Sequence, residues 1–336
     1  MESWARSQEG KMSNNSYHLG IDTSNYTTSL AVCNDNFDIV FDQRIPLKVK
    51  DGHKGLRQSE AIYQHMRNMP VLAEALFGSL DRGGIISAGI SSRPRPVEGS
   101  YMPVFNAGVD YGKVICYALG IPFRFYSHQE GHLEAVRRNS PLADRDEFIA
   151  FHLSGGTCEI LRTLHKDNKY DITLIGGSKD ISFGQLIDRI GVAMGLPFPS
   201  GAMMDKMALE IRQDVKPMLK KISIDGSYFN LSGVENQCIK LMESGCGEQF
   251  IAHALFSIIG TTLCEVIQNV VKTTGINSVM LAGGVASSAF IRNVINGCFK
   301  ETGILTVFGD KSLSSDNAVG ISFLSASEHL ASVSQE

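Results

Sequence analysis

Two histidines, His128 and His132, stand four residues apart in a stretch from Phe125 to Val136 that reads as helical. On a helix that interval sets both imidazoles on one face. Two neutral imidazoles so placed can hold a borderline transition metal such as iron or zinc, given a carboxylate from elsewhere and open positions for substrate. The same interval is more commonly occupied by two solvated side chains, so spacing alone does not choose between these readings. Peptidase chemistry fits poorly. The zinc-protease pattern needs Glu directly after the first His, whereas Gln129 fills that place here and Glu130 comes one residue later, roughly 200° around the helix from His128.

Three small-residue turns offer a second kind of chemistry. The turn Asp22-Thr23-Ser24-Asn25-Tyr26-Thr27-Thr28 is crowded with hydroxyls and one carboxylate, a composition that can receive phosphate or metal or satisfy its own backbone. Ser154-Gly155-Gly156-Thr157 lets backbone N–H groups approach and wrap a phosphate, although a Gly-Gly pair is also ordinary hairpin chemistry. At Ala282-Gly283-Gly284-Val285-Ala286-Ser287-Ser288 a strand runs through glycines into a helix, and the orphan N–H groups of that helix make an anion site. Asp188, on the polar side of a helix, could bind a ribose hydroxyl or simply be solvated. Asp316 precedes the last helix, where it is either an N-cap or the carboxylate that the histidines lack.

The elements that must position these residues follow from periodicity. A β-meander is expected over His18–Ser24, Ser29–Val32 and Phe37–Ile45, then a basic loop (Lys48, Lys50, His53, Lys54, Arg57) and a helix from about Ser59 to Leu80. Such a basic run is usually solvated and otherwise contacts nucleic acid. A buried strand, Ile85–Ser92, precedes a turn-rich loop through Ser100, a helix from about Phe105 to Leu119, and a short strand that delivers the chain into the histidine helix. The polar segment Asn139–Asp146, holding Pro141, is the expected lobe boundary. The second half repeats the opening of the first, with a strand from Phe148, the Gly-Gly turn, a returning strand and a third at Tyr170–Ile175, which suggests internal duplication. Helices are expected from Phe183 to Leu196, near Met204–Arg212, from about Glu248 to Lys272 and at the C-terminus, with strands at Ser278–Leu281 and Leu305–Phe308 and a lysine-bearing loop at Lys216, Lys220 and Lys221.

Composition sets the bounds. The 336 residues suffice for two packed lobes, expected as 16–140 and 146–315, with 316–336 as a C-terminal helix packed at the lobe interface and 1–15 as a disordered leader; Met12 is a candidate true start. A net charge of −4 supplies no global basic field, so any RNA contact comes from a local patch or a partner. Seven scattered cysteines without a C-x-x-C pair argue against a disulfide framework and for a reducing cytoplasm. No run is expected to approach the roughly 18 apolar residues of a membrane span.

Duplicated β-meanders with glycine turns, a strand-Gly-Gly-helix turn and a terminal aspartate resemble the actin, hexokinase and chaperone-ATPase superfamily, an α/β fold of two lobes that clamps a nucleotide. Within it, the chain resembles the catalytic subunit of tRNA threonylcarbamoyladenosine synthase (the TsaD family, long labelled O-sialoglycoprotein endopeptidase). The carriers are Gly20–Ser24, His128-x-Glu130-Gly131-His132, Leu153–Thr157, Leu196–Gly201, Ser232-Gly233, Ala282–Val285 and Asp316-Asn317-Ala318, in the right order from about His18 onward. The resemblance implies that His128, His132 and Asp316 ligate one divalent metal, commonly Fe2+ or Zn2+, at a cleft between lobes. It implies that His152, Leu153, Ser154, Gly155 and Gly156, with Asp188, Gly201 and Ser288, bind threonylcarbamoyl-adenylate. The implied reaction moves the threonylcarbamoyl group to the exocyclic amine of adenosine 37 in tRNAs reading codons that begin with A, in the cytoplasm and together with other subunits of a modification complex. The chain departs from the family pattern at Asn25-Tyr26-Thr27-Thr28, where acidic residues are usual, and at Thr157 (usually His), Ser288 (Asn), Glu235 (Lys) and Arg93-Pro94-Arg95-Pro96 (Gly-Pro-Gly). Such changes also suit a paralogue that uses the same site for carbamoyl transfer to another acceptor, or a nucleotide-binding scaffold without catalysis.

Overall fold

The structure, a computed structural model, describes residues 16–24, 26–49, 56–211, 219–313 and 316–334. The expected leader at 1–15, with Met12, lies outside the described residues, as do Asn25, Lys50, His53, Lys54 and Lys216. The chain divides into two units, one of Met1–Arg93, Tyr101–His128 and Asn317–Glu336, the other of Pro94–Ser100 and Gln129–Asp316.

The first unit is built on a five-stranded sheet. Its meander is β1 (Tyr17–Asp22), β2 (Thr27–Asn34) and β3 (Ile39–Pro46), followed by helix α1 (Gln58–Ser79), strand β4 (Ile85–Arg93), helix α2 (Phe105–Leu119) and strand β5 (Phe123–Ser127). The order is β3-β2-β1-β4-β5, antiparallel through the meander and parallel from β1 to β4 to β5. Central placement explains why Leu19, Ile21, Leu30, Val32 and Ile90 are all fully buried.

After Pro94–Ser100 the second unit resumes in helix α3 (His128–Arg137), whose first residue is still counted with the first unit. Its strands β6 (Glu147–Leu153), β7 (Cys158–Lys166) and β8 (Lys169–Ser178) form the second meander, and helices α4 (Phe183–Ala193) and α5 (Gly201–Glu210) follow. A two-residue pair, β9 (Ile224–Asp225) and β10 (Tyr228–Phe229), leads to α6 (Ser232–Glu243), α7 (Glu248–Thr274), β11 (Ser278–Ala282), α8 (Ala289–Phe299) and β12 (Leu305–Phe308). The sheet runs β12-β11-β6-β7-β8-β10-β9. Its β8-β7-β6-β11-β12 part repeats the order and the parallel and antiparallel senses of β3-β2-β1-β4-β5, which is the duplication read from the two meanders. Helix α6 and the β9–β10 pair were not expected from the sequence.

Two expectations are corrected, the lobe boundary and the absence of a long apolar run. The segment Asn139–Asp146 does not divide the chain, because Glu134, Arg137 and Tyr170 tie α3 to β8 inside the second unit: the Arg137 guanidinium donates to Glu134 at 3.0 Å and to the Tyr170 hydroxyl at 3.2 Å. Burial opposes charge on Glu134, yet Arg137 and Arg138 hold its carboxyl below the usual range. The C-terminal helix α9 (Val319–Val333) belongs to the first unit, where it packs on β1 and β4. Gly20 and Gly89 make that approach possible: a Cβ would lie 2.3 Å from the Ala318 carbonyl oxygen at Gly20 and 2.6 Å from that of Ile321 at Gly89. Finally, α7 is long and apolar enough to cross a membrane by composition, but 78% of its 18-residue apolar window is buried, and Ile251, Leu255, Ile259, Leu263 and Ile267 anchor the core.

Candidate metal and nucleotide site

His128 opens α3 and His132 follows one turn later. Asp316, which closes the second unit, brings its Oδ1 to 3.6 Å from His132 Nε2. One ligand atom from each of His128, His132 and Asp316 lies within 4.8 Å of the others, and all three side chains are half-buried. Donors about 2.1 Å from a tetrahedral metal sit about 3.4 Å apart, so the set fits a single transition metal ion. The N-cap position of α9 is held by Ala318 rather than Asp316, and Asn317 Oδ1 accepts from the Val319 N–H at 3.0 Å, serving the first turn. Behind His128 lies a residue whose role the spacing did not reveal: Asp22 Oδ2 is 2.8 Å from His128 Nδ1 and its side chain is fully buried.

The ring of His152, near the end of β6, lies 5.8 Å from the His132 ring, and the chain then enters Ser154–Thr157. The turn is closed by Ser154 N–H donating to the Thr157 carbonyl at 2.8 Å and Thr157 N–H donating to Ser154 Oγ at 3.0 Å. Gly155 and Gly156 are exposed with open space where a side chain would be, and among the described residues no acceptor is set against their N–H groups. Two other glycines press the turn into place. A Cβ on Gly184 of α4 would lie 2.5 Å from Gly155 Cα, and one on Gly283 would lie 2.4 Å from the Leu153 carbonyl oxygen. Gly283 also has φ +98°, which favours glycine. Gly184 escaped the sequence reading because it stands within an amphipathic helix with no local mark of a turn.

Helix N-termini behave differently from expectation. The α8 N-terminus, read as a ready anion site, already holds a carboxylate: Asp205 accepts from Ala289 N–H at 2.9 Å, from Phe290 N–H at 3.1 Å and from the Ser288 hydroxyl. Ser288 is the α8 N-cap, accepting from Ile291 N–H at 3.1 Å, so both partners of its hydroxyl belong to the fold. Asp188 likewise accepts from Ser200 N–H at 2.8 Å and from Gly201 N–H, which brings these two predicted residues together at the start of α5; burial raises the Asp188 pKa above its ordinary value. Asp180 does the same for α6. Burial opposes its charge, but the N–H groups of Leu231 and Ser232 outweigh that and hold its carboxyl well below the usual range. The N-termini of α5, α6 and α8 are thus each neutralised by an aspartate from another element.

The departures have internal roles. Glu235 pairs with Arg189 at 2.9 Å, Arg95 pairs with Glu159, and Thr28 bonds His65 Nδ1 at 2.8 Å. Tyr26 is exposed, and Thr27 opens β2 nearly buried.

Residues 60–323 match the family described as tRNA N6-adenosine threonylcarbamoyltransferase. The chain belongs to that family. Relatives that bear the threonylcarbamoyltransferase name include one from Thermus thermophilus, 26% identical over 93% of this chain and 92% of its own, and one from Anaplasma phagocytophilum, 25% identical over 91% and 90%. A probable bifunctional tRNA threonylcarbamoyladenosine biosynthesis protein of Thermoplasma acidophilum is 22% identical over 90% of this chain and 54% of its own. Among solved structures, full-length HypF in a phosphate- and nucleotide-bound form has a TM-score of 0.57 at 12% identity over 94% of this chain and 55% of that one. An activator of 2-hydroxyisocaproyl-CoA dehydratase from Clostridium difficile has a TM-score of 0.51 at 12% identity, over 95% of this chain and 98% of that one. These likenesses show a shared α/β fold and nothing beyond it. As a member of the threonylcarbamoyltransferase family, the chain is an acyltransferase of tRNA modification.

Proposed function

We propose that this chain transfers the threonylcarbamoyl group from threonylcarbamoyl-adenylate to the exocyclic amine of adenosine 37 in tRNA, with one divalent transition metal, Fe2+ or Zn2+, held by His128, His132 and Asp316. The observation that carries the metal assignment is the convergence of those three donor atoms within 4.8 Å. When bound, the metal supplies Lewis acidity to the carbamoyl oxygen. The free N–H groups of Gly155 and Gly156 hold the phosphate that leaves with AMP, and the carboxylate of Asp188 at the start of α5 places the nucleoside. The ring of His152, on β6 just before the turn, lies 5.8 Å from the ring of His132, which supports one substrate engaging both the turn and the metal helix.

The acceptor enters through Lys220 and Lys221, through Lys48 and Arg57, or through partner subunits of a modification complex, since net charge is −4. The reaction belongs in the cytoplasm, in keeping with free cysteines at every described position. Transfer to another acceptor and a silent scaffold are not favoured by the family assignment, and the departures at Glu235 and Ser288 are absorbed by the fold. The test is threonylcarbamoyl-adenosine in tRNA from a strain depending on this chain alone. Its presence, and its loss with His132→Ala, is expected; its absence with the intact chain overturns the reading.

A further inference from the structure

We infer that Asp22 is a positioning residue for the metal site, acting through His128: it fixes the imidazole with its proton on Nδ1 and so leaves Nε2 as the ligand atom. This inference rests on the metal assignment above. Asp22 ends β1 as a fully buried carboxylate, with Oδ2 at 2.8 Å from His128 Nδ1 and Oδ1 accepting from Ser24 N–H at 2.8 Å. An ionised carboxylate only accepts, so the nitrogen facing it carries a proton and the lone pair is on the other nitrogen. The His128 ring also meets Phe105, with centroids 6.2 Å apart and planes tilted by 57°.

The turn that Asp22 begins was read from sequence as a place for phosphate or metal. Burial and the engagement of both its oxygens give it a different task. Thr23 shares in the same construction, because its Oγ1 accepts from Gly108 N–H at 3.0 Å and donates to the Val104 carbonyl at 3.3 Å. The turn is thereby pinned to the start of α2, and Asp22 is delivered to His128 by a rigid frame.

The chemistry predicts an asymmetry between near-isosteres. Ser24 N–H and His128 Nδ1–H both face Asp22 and each requires an acceptor, whereas asparagine has one oxygen and one amide nitrogen. Asp22→Asn therefore either abandons Ser24 or presents an N–H to Nδ1, which drives the histidine proton to Nε2 and blocks ligation.

The experiment uses the full metal-free chain with Co2+ as probe, Zn2+ for a diamagnetic form and 15N-labelled histidine. Wild type should bind one Co2+, and Asp22→Asn should bind it about 10-fold to 100-fold more weakly at unchanged far-UV circular dichroism. In the Zn2+ form of wild type, ring nitrogen shifts should place the metal on His128 Nε2 and a proton on Nδ1; in metal-free Asp22→Asn the proton should move toward Nε2. Equal Co2+ affinity in folded Asp22→Asn, or metal on Nδ1 in wild type, overturns the role of Asp22. If Asp22→Asn does not fold, the wild-type nitrogen shifts decide alone. Wild type that binds neither ion overturns the metal assignment itself, and this inference with it.

Discussion

Replacing Asp205 by alanine should unseat helix α8 and turn its N-terminus into the anion site that the sequence suggested. In the intact protein the Asp205 carboxylate accepts from Ala289 N–H, Phe290 N–H and the Ser288 hydroxyl. Removing a capping side chain costs about 1 to 2 kcal/mol, and each hydrogen bond to a charged group contributes about 1.5 to 3 kcal/mol where water cannot replace it. Asp205 is half-buried, so water recovers part of the loss, and Ser288 still caps through Ile291 N–H. A net loss of about 2 to 3 kcal/mol follows. Urea unfolding followed by far-UV circular dichroism measures it. At a slope of about 3 kcal/mol per M, the midpoint should fall by roughly 0.7 to 1 M. Inorganic phosphate should then restabilise Asp205→Ala more than wild type, because the exposed N–H groups and helix dipole gain an anion. A midpoint shift below about 0.2 M, or equal phosphate effects on both proteins, would refute the argument.

Asp316→Asn should weaken metal binding by about 10-fold or more while leaving the melting curve unchanged, because Asn317 rather than Asp316 serves α9; calorimetry with Zn2+ measures it. Gly184→Ala should lose AMP affinity, since its Cβ would displace Gly155 Cα from 2.5 Å, whereas Gly155→Ala should leave the fold intact because its side chain meets open space; thermal melts and nucleotide titration separate the two. Glu134→Gln should cost about 3 to 5 kcal/mol in chemical unfolding, because Arg137 is left buried without its counter-charge. The Glu134 carboxyl is held below its ordinary value in the fold, so its stabilisation is present above an unfolded pKa of about 4.3 and is lost as pH falls through the lower native value. An acid titration should therefore show wild-type stability declining below about pH 4, with a flatter decline in Glu134→Gln.

Much of this protein was legible in the sequence because it is written in local periods. Alternation gave both meanders, and α2 was expected over Phe105–Leu119, the bounds it has, since Gly120 adopts a left-handed conformation that closes it. The i,i+4 histidines needed only helical geometry. Helix α6 stayed hidden because it buries only Val234 and Cys238, a stripe too thin to register as a period.

What the tertiary structure alone decided is which groups meet. Asp22 and His128 are distant in sequence, and nothing local to either fixes a 2.8 Å contact between them. The three aspartates that neutralise helices α5, α6 and α8 come from outside those helices, so a sequence can advertise a helix N-terminus but not who occupies it. The unit boundary moved from Asn139–Asp146 into α3 for the same reason: composition marks polar segments, whereas the buried Glu134–Arg137–Tyr170 network that overrules them joins a helix to a strand 33 residues further on. Hydrophobic periodicity is set by neighbours along the chain, and partner choice among buried polar groups is set by packing between elements. The sequence therefore determined the elements and the candidate donors, and the folded chain determined their pairing.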